Sequence, residues 1–336
     1  MIEGHGDDIY RYGDKVRHNF SSNILNGKDH SQLKTFLKSR LDVISNYPEP
    51  APYSVEGMLA ARLGVASENV MVTNGAVDAI YTVANVYAGA RSAVLQPTFA
   101  EYADACIAAG HDVAAFCCID ELPENMDLVW ICNPNNPTGK VIDCGHLLNV
   151  IDRHPGVLFI IDQAYHRYTA RPVLSASDAV SRDNLVLIYS LTKDYFVPGL
   201  RLGYAVAGRN VTGMLGKRRI PWSVSALAIE AARFLLANDA AYIFDPAPLV
   251  DESRRVAREL DAMGIDCIPG ETNFILCRLP NRSAAQLKEY LVENYGILIR
   301  DASNFAGLTD RYFRIAAQRP DENDLLIKAI GKWMRL

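Results

Sequence analysis

Short apolar runs at residues 70–73, 93–96, 128–132, 157–161 and 185–189 recur through the first two thirds of the chain, and polar side chains follow most of them. The longer runs are continuous rather than alternating, which is the pattern of strands buried on both faces. Between them the spacing turns helical. One helix is predicted from Ala76, after Asn74-Gly75, and another runs through Tyr102 and Ile107. Strands alternating with helices predict an α/β fold built on a mostly parallel sheet. Ligands of such sheets sit beyond the carboxyl ends of the strands. This chain concentrates its polar residues there.

Upstream, Leu33, Phe36, Leu37 and Leu41 share one helical face, so a helix is predicted over 31–44 with Ser31 as N-cap. Asn46-Tyr47-Pro48-Glu49-Pro50-Ala51-Pro52 must be irregular, because proline removes amide donors and restricts the residue before it. A second helix follows, with Met58, Leu59 and Leu63 on one side. Residues 224–237 read as an alanine-rich helix. After Asp245-Pro246 the pattern changes to a helix near 250–262, a strand at 273–277 and a helix at 283–294. Strands at 297–300 and 312–316 and a closing helix from Asp321 complete it. This organisation predicts a large domain over 46–236. A smaller domain is predicted from 1–45 together with 237–336.

Several residues at the predicted strand ends carry chemistry. Asp162 ends an apolar run, and burying a lone carboxylate is costly, so it must be paired or near solvent. A simple cap would also satisfy it. Lys193 follows a buried strand through Ser190-Leu191-Thr192. Most lysines in such loops are solvated, but a partly buried amine with a lowered pKa can form an imine. Arg201, in Gly199-Leu200-Arg201-Leu202-Gly203-Tyr204, can pair with a phosphate or with a surface acid. Gly75-Ala76 opens a helix, whose amide groups suit an anion. Asn133-Pro134-Asn135-Asn136-Pro137-Thr138-Gly139 is a rigid loop of unusual order.

Composition narrows the field. The 336 residues are 49% hydrophobic and 22% charged, ordinary values for a globular chain. A net charge of -5 gives no general reason to bind nucleic acid or an anionic membrane. No apolar run reaches membrane-spanning length, and the first twelve residues lack the basic-then-apolar order of a signal peptide. The seven cysteines are odd in number and form no C-x-x-C pair, which fits neither a zinc site nor a disulfide framework. A reducing cytoplasm and no metal are expected.

Together these motifs are similar to those of the fold-type I pyridoxal-phosphate (PLP) enzymes, the aspartate aminotransferase superfamily. The N-P-N-N-P-T-G loop, Asp162-x-Ala164-Tyr165 and Ser190-x-x-Lys193 with its glycine-arginine sequel occur in the family's order. The resemblance implies an α/β PLP-dependent transferase fold and a PLP cofactor with Lys193 as the Schiff-base lysine. It implies Asp162 on the pyridinium nitrogen, and Asn136 and Tyr165 on the ring 3-oxygen. Gly75, Ala76, Ser190 and Arg201 are expected around the cofactor phosphate. Phe99 is expected to stack on the ring, with Tyr102 close by. Tyr47 resembles the tyrosine that reaches a neighbouring subunit's cofactor phosphate, implying a homodimer with shared sites. Arg314 resembles the arginine for the substrate α-carboxylate.

Within the superfamily the chain resembles the branch of histidinol-phosphate aminotransferases and the threonine-phosphate decarboxylases of cobalamin biosynthesis. That likeness rests on His5-Gly6, Asn19-Phe20-Ser21-Ser22-Asn23, Pro221-Trp222-Ser223 and Ile297-Leu298-Ile299-Arg300. It implies a small phosphorylated amino-acid substrate, gripped by Arg300 with help from His5 and Asn23. Decarboxylation of L-threonine O-3-phosphate is the first expected activity, and transamination of histidinol phosphate is the second. A non-catalytic PLP-sensing protein is the third, disfavoured by the acidic balance, and a catalytically dead paralogue is disfavoured because Lys193, Asp162 and Arg201 are all present. The chain departs from relatives in Gln163, in Ala76, and in lacking a proline after Asn23-Ile24-Leu25-Asn26.

Overall fold

In the computed structural model, which describes residues 7–336, the apolar runs assemble into one mixed sheet. The strands in chain order are β1 (His18–Asn19), β2 (Val70–Thr73), β3 (Arg91–Leu95), β4 (Asp112–Phe116), β5 (Leu128–Cys132), β6 (Leu158–Asp162) and β7 (Leu185–Tyr189). Then come β8 (Gly203–Ala207), β9 (Asp266–Ile268), β10 (Phe274–Arg278), β11 (Ile297–Leu298), β12 (Arg300–Asp301) and β13 (Tyr312–Ala316). The large sheet has the order β2-β8-β7-β6-β5-β3-β4. Every pair from β7 to β4 is parallel, and only β8 runs antiparallel to its neighbours.

Successive side chains on each strand point to opposite faces, so both faces need cover. Val129, Ile131, Phe159 and Ile161 pack on one side with Val55 and Leu59 of the helix Tyr53–Leu63 and Leu235 of the helix Ala226–Ala237. Trp130, Ile160, Val186 and Ile188 pack on the other with Ile80 and Val83 of the helix Ala76–Val86 and Val211 of the helix Arg209–Arg218. Each fully buried aliphatic side chain contributes about 1.5–3 kcal/mol. An unpaired charge there would cost more than that, which confines the charged groups to the strand ends.

A second sheet, β12-β13-β10-β9, is antiparallel throughout. The N-terminal arm runs beside it, in a separate two-stranded sheet. β1 pairs in parallel with β11, Phe20 N donates to Leu298 O at 2.8 Å, and Ala316 N donates to Phe20 O at 2.9 Å. That path draws Ser21, Ser22 and Asn23 past the end of β13.

The structure corrects three local expectations. The helix predicted over 31–44 ends at Ser39, and Leu41–Ser45 is a separate 3-10 turn. Val43 and Ile44 are β-branched and Asp42 and Ser45 compete for backbone groups, so this stretch holds an α-helix poorly. Ser31 is the first helical residue rather than the cap, and its amide donates to Asp29 Oδ1 at 2.8 Å. The strand predicted over 297–300 divides into β11, which pairs the arm, and β12, which pairs β13. Among the described residues no helix is long and apolar enough to cross a membrane, and no three His, Cys, Asp or Glu side chains cluster as metal ligands.

Candidate active site

A cavity of about 290 Å3 opens at the carboxyl ends of β5, β6 and β7. Cys132 and Asp162 are the last residues of their strands, and Ser190 directly follows β7. The cavity brings together Ala76, Phe99, Tyr102, Asn136, Asp162, Tyr165, Ser190, Lys193, Arg201, Arg300 and Arg314 from the sequence-derived set. Gly75 adjoins it through Arg201.

Asp162 is 4% exposed. Its Oδ2 accepts from the Tyr102 hydroxyl at 2.7 Å, and its Oδ1 accepts from Ala164 N at 2.8 Å. Burial pushes the carboxyl up from its ordinary value, against those two donors and the Lys193 charge. Lys193 sits on the short helix Leu191–Asp194 and its Nζ donates to Ser22 O at 2.9 Å. Burial and the Arg314 charge hold its amine down at about 8, with Asp7 opposing. An amine near neutrality has a useful fraction in the nucleophilic, uncharged form.

The far end of the cavity is an anion cradle. Gly75 has φ +86° and precedes the helix Ala76–Val86. A Cβ placed on Gly75 would lie 2.6 Å from Arg201 Nη2. A Cβ on Gly203 of β8 would lie 2.4 Å from Ala76 N. Glycine at both points lets β8, the helix start and the Arg201 guanidinium close around one spot. The helix N-terminus, the Ser190 side chain and Arg201 then converge there, the donor set a phosphate requires. This geometry fits the phosphate of PLP, and the buried Asp162 and depressed Lys193 fit its ring and aldehyde.

The opposite wall is cationic. Arg300 and Arg314 are 7% and 5% exposed and lie directly across from each other on β12 and β13. Both are pushed down to about 10, Arg300 by burial and the Arg314 charge, Arg314 by burial. Arg314 donates to Asn136 Oδ1 and to the Ser21 carbonyl. Arg300 donates to Asn304 Oδ1 at 2.7 Å and lies over the Phe305 ring.

Phe99 packs edge-on against Tyr102, which is 1% exposed and stacked on Trp130. Asn23 is fully buried with φ +60°, and neither of its side-chain polar atoms has a hydrogen-bond partner, although it lies beside the Tyr165 hydroxyl. Burial raises that hydroxyl to about 12. Tyr47 lies outside the cavity, 86% exposed, against Trp222 at 5.4 Å. His5 falls outside the described residues. Sequence reasoning missed Asp7, Ser22 and Phe305, which also line or touch the site. Asp7 follows His5-Gly6 in the chain, which was the only signal for it. Ser22 acts through its carbonyl, which any residue would supply.

Residues 18–330 match the family described as aminotransferase class I and II. The threonine-phosphate decarboxylase of Salmonella typhimurium is 28% identical over 327 residues, covering 93% of this chain and 89% of that protein. The histidinol-phosphate aminotransferase of Caldanaerobacter subterraneus subsp. tengcongensis is 29% identical over 307 residues, covering 85% and 84%. The crystal structure of L-threonine-O-3-phosphate decarboxylase from Porphyromonas gingivalis superposes with a TM-score of 0.92 at 38% identity, over 95% of this chain and 100% of that one. The chain belongs to the class I and II aminotransferase family, and its cofactor is pyridoxal phosphate.

Proposed function

We propose that this chain decarboxylates L-threonine O-3-phosphate, giving carbon dioxide and (R)-1-amino-2-propanol O-2-phosphate. The observation behind this reading is the facing pair Arg300 and Arg314 on one wall of the Lys193 cavity. Two guanidinium groups side by side suit a small molecule with two anionic groups on neighbouring carbons. L-threonine O-3-phosphate has a carboxylate and a phosphate ester placed in that way. Histidinol phosphate has the phosphate ester and no carboxylate. The 38% identity to the Porphyromonas gingivalis decarboxylase supports the same choice.

Pyridoxal phosphate, when bound, supplies the electron sink for cleavage of a bond at the substrate Cα. The chain's residues do the rest. Lys193 binds the cofactor and later delivers a proton to Cα. Asp162 keeps the ring nitrogen protonated, and Tyr102 and Ala164 keep Asp162 in place. Asn136 and Tyr165 hold the ring 3-oxygen. Asn136 Oδ1 is already engaged by Arg314, so its amide group is the donor left for the cofactor. Phe99, on the cavity wall, would cover the ring. Gly75, Ala76, Ser190 and Arg201 hold the cofactor phosphate. Arg314 takes the substrate carboxylate and Arg300 the substrate phosphate, with Asn23 and His5 assisting. Fixing both ends sets the rotation about Cα, and so which bond breaks.

The reading includes a homodimer. Leu41, Ile44, Tyr47, Tyr53, Ile220 and Trp222 are large apolar side chains 49–86% exposed, and Trp222 N donates to Pro50 O at 3.0 Å, which brings the two stretches together. Such a patch calls for cover. A second copy placed there would carry Tyr47 toward its partner's cofactor phosphate. It also includes a cofactor-binding unit over 46–236 and a smaller unit from 1–45 and 237–336, supported by the separate sheets and by the arm's pairing with β11. It places the chain in a reducing cytoplasm, on a cysteine count and spacing that fit no disulfide framework.

The second reading, transamination of histidinol phosphate, draws support from the 29% identical aminotransferase. One experiment separates the two. The PLP-loaded protein is given L-threonine O-3-phosphate without an oxo acid, and carbon dioxide is measured. Steady release that disappears in Lys193→Ala supports decarboxylation. No release, together with amino transfer from histidinol phosphate once 2-oxoglutarate is added, would overturn it.

A further inference from the structure

Cys267 and Cys277 stand opposite each other on the antiparallel strands β9 and β10, with their Sγ atoms 3.3 Å apart. They are ten residues apart in sequence, a spacing that suggests nothing by itself. The sheet creates the pair. Cys267 N donates to Asp261 Oδ1 at 2.9 Å rather than across the ladder. The pair is therefore of the non-hydrogen-bonded type, in which the Cα atoms approach to about 4.5 Å and the side chains are closest. That separation falls inside the range a disulfide accepts, about 4.4–6.8 Å. β9 is the edge strand of its sheet, so small adjustments there meet little resistance.

A second observation gives access. A cavity of about 260 Å3 opens beside Cys267, lined by Ser253, Arg254, Arg258, Pro269 and Gly270 among others. Cys267 is partly exposed, and Cys277 is fully buried behind it. Arg254 and Arg258 outnumber Asp261 among its charged lining residues, which favours an anionic visitor.

We propose that Cys267 and Cys277 form a redox-controlled cross-strand disulfide, made by exchange with an anionic low-molecular-weight disulfide such as glutathione disulfide. Cys267 Sγ attacks one sulfur of the small disulfide and expels the other half as a thiolate. Cys277 Sγ then attacks Cys267 Sγ, the second half leaves, and the two cysteine protons depart with the expelled thiols. Two cysteine thiols are oxidised and one small disulfide is reduced to two thiols. The bond closes a loop over 268–276. That loop packs backbone to backbone against Gly139: Glu271 N donates to Gly139 O at 2.7 Å, and a Cβ on Gly139 would lie 3.2 Å from Gly270 Cα. The disulfide thus clamps the segment that abuts the loop bearing Asn136. The device is independent of which substrate the enzyme takes.

The sequence makes the test direct. Residues 259–278 form one tryptic peptide that contains these two cysteines and no other. The holoenzyme is incubated with glutathione disulfide, remaining thiols are alkylated, and the peptide is weighed. The expected peptide carries no alkyl group, is lighter than the reduced peptide by two hydrogen atoms, and stays linked after cleavage at Glu271. Oxidised wild type also unfolds at a higher temperature than reduced wild type, a difference absent in Cys277→Ser. Two alkylated cysteines, or a stable glutathione adduct on Cys267 with Cys277 alkylated, overturns the proposal, whatever the variant does.

Discussion

The Tyr102 hydroxyl donates to Asp162 Oδ2 at 2.7 Å, at the end of β6. Tyr102 itself is buried between Phe99 and Trp130, so its hydroxyl has a fixed aim. Two opposed effects meet at Asp162. Burial pushes its pKa up, while Tyr102 and the Ala164 amide favour the charged form. Removing the hydroxyl in Tyr102→Phe leaves burial with less opposition. The acid limb of the pH–rate profile then moves to higher pH, because Asp162 protonates earlier as pH falls. A hydrogen bond to a charged group contributes about 1.5–3 kcal/mol, so kcat/KM should fall roughly ten- to a hundredfold near neutrality. An unmoved acid limb would show that Tyr102 acts only as packing.

Lys193 gives a second pH signature. Its amine is held at about 8, with burial the largest cause and the Arg314 charge the next. The uncharged amine is the nucleophile, and it is the minor form below that pH. Capture of PLP by cofactor-free protein should therefore speed up by about tenfold per pH unit as pH rises toward 8, then level off. Arg314→Gln removes a neighbouring positive charge, so the midpoint should move upward. Stopped-flow absorbance from about pH 6 to about pH 10 reads both. A midpoint near the ordinary lysine value in the wild type would contradict the electrostatics described for the cavity.

Much of this site was legible because its residues sit in contiguous motifs at strand ends. Asp162 and Lys193 each follow an unbroken apolar run, and β5, β6 and β7 are fully buried, which is why the runs are unbroken. The strands that escaped notice, β1, β4, β8 and β9, lack that signal. β4 is an edge strand, mostly exposed or half-buried. β8 is buried but consists of Gly203, Tyr204 and small residues, which read as neither period. The Lys193–Ser22 contact was invisible for another reason: it uses a backbone carbonyl brought 171 residues along the chain. The same holds for the facing of Arg300 and Arg314, which depends on the register of β12 against β13 and not on either residue's neighbours.

That register yields a test of substrate orientation. If Arg300 takes the substrate phosphate, Arg300→Gln should raise KM for L-threonine O-3-phosphate by roughly ten- to a hundredfold, the loss of a charged pair of about 1.5–3 kcal/mol. Turnover of unphosphorylated L-threonine, however slow, should be unaffected by the same change. Arg314→Gln should weaken both compounds, since both carry the α-carboxylate. Equal losses on both compounds for Arg300→Gln would place the phosphate elsewhere.

The cradle can be tested without touching any charged group. Gly203 lies in β8, where alanine meets no backbone restriction, so the cost of Gly203→Ala is contact alone. Its new Cβ would fall 2.4 Å from Ala76 N and 2.6 Å from Gly75 C. Both are backbone atoms, and neither can swing away as a side-chain tip would. The start of the helix Ala76–Val86 must move off β8, opening the cradle. Overpacking of this kind costs about 1–3 kcal/mol of stability. The same shift spoils the alignment of amide donors, so PLP affinity should fall along with the melting temperature. Gly199→Ala is the control, because a Cβ there has nothing within 4 Å. Cofactor titration and thermal unfolding of the two variants should therefore diverge. Wild-type PLP affinity in Gly203→Ala would mean that the phosphate is not held at this helix start.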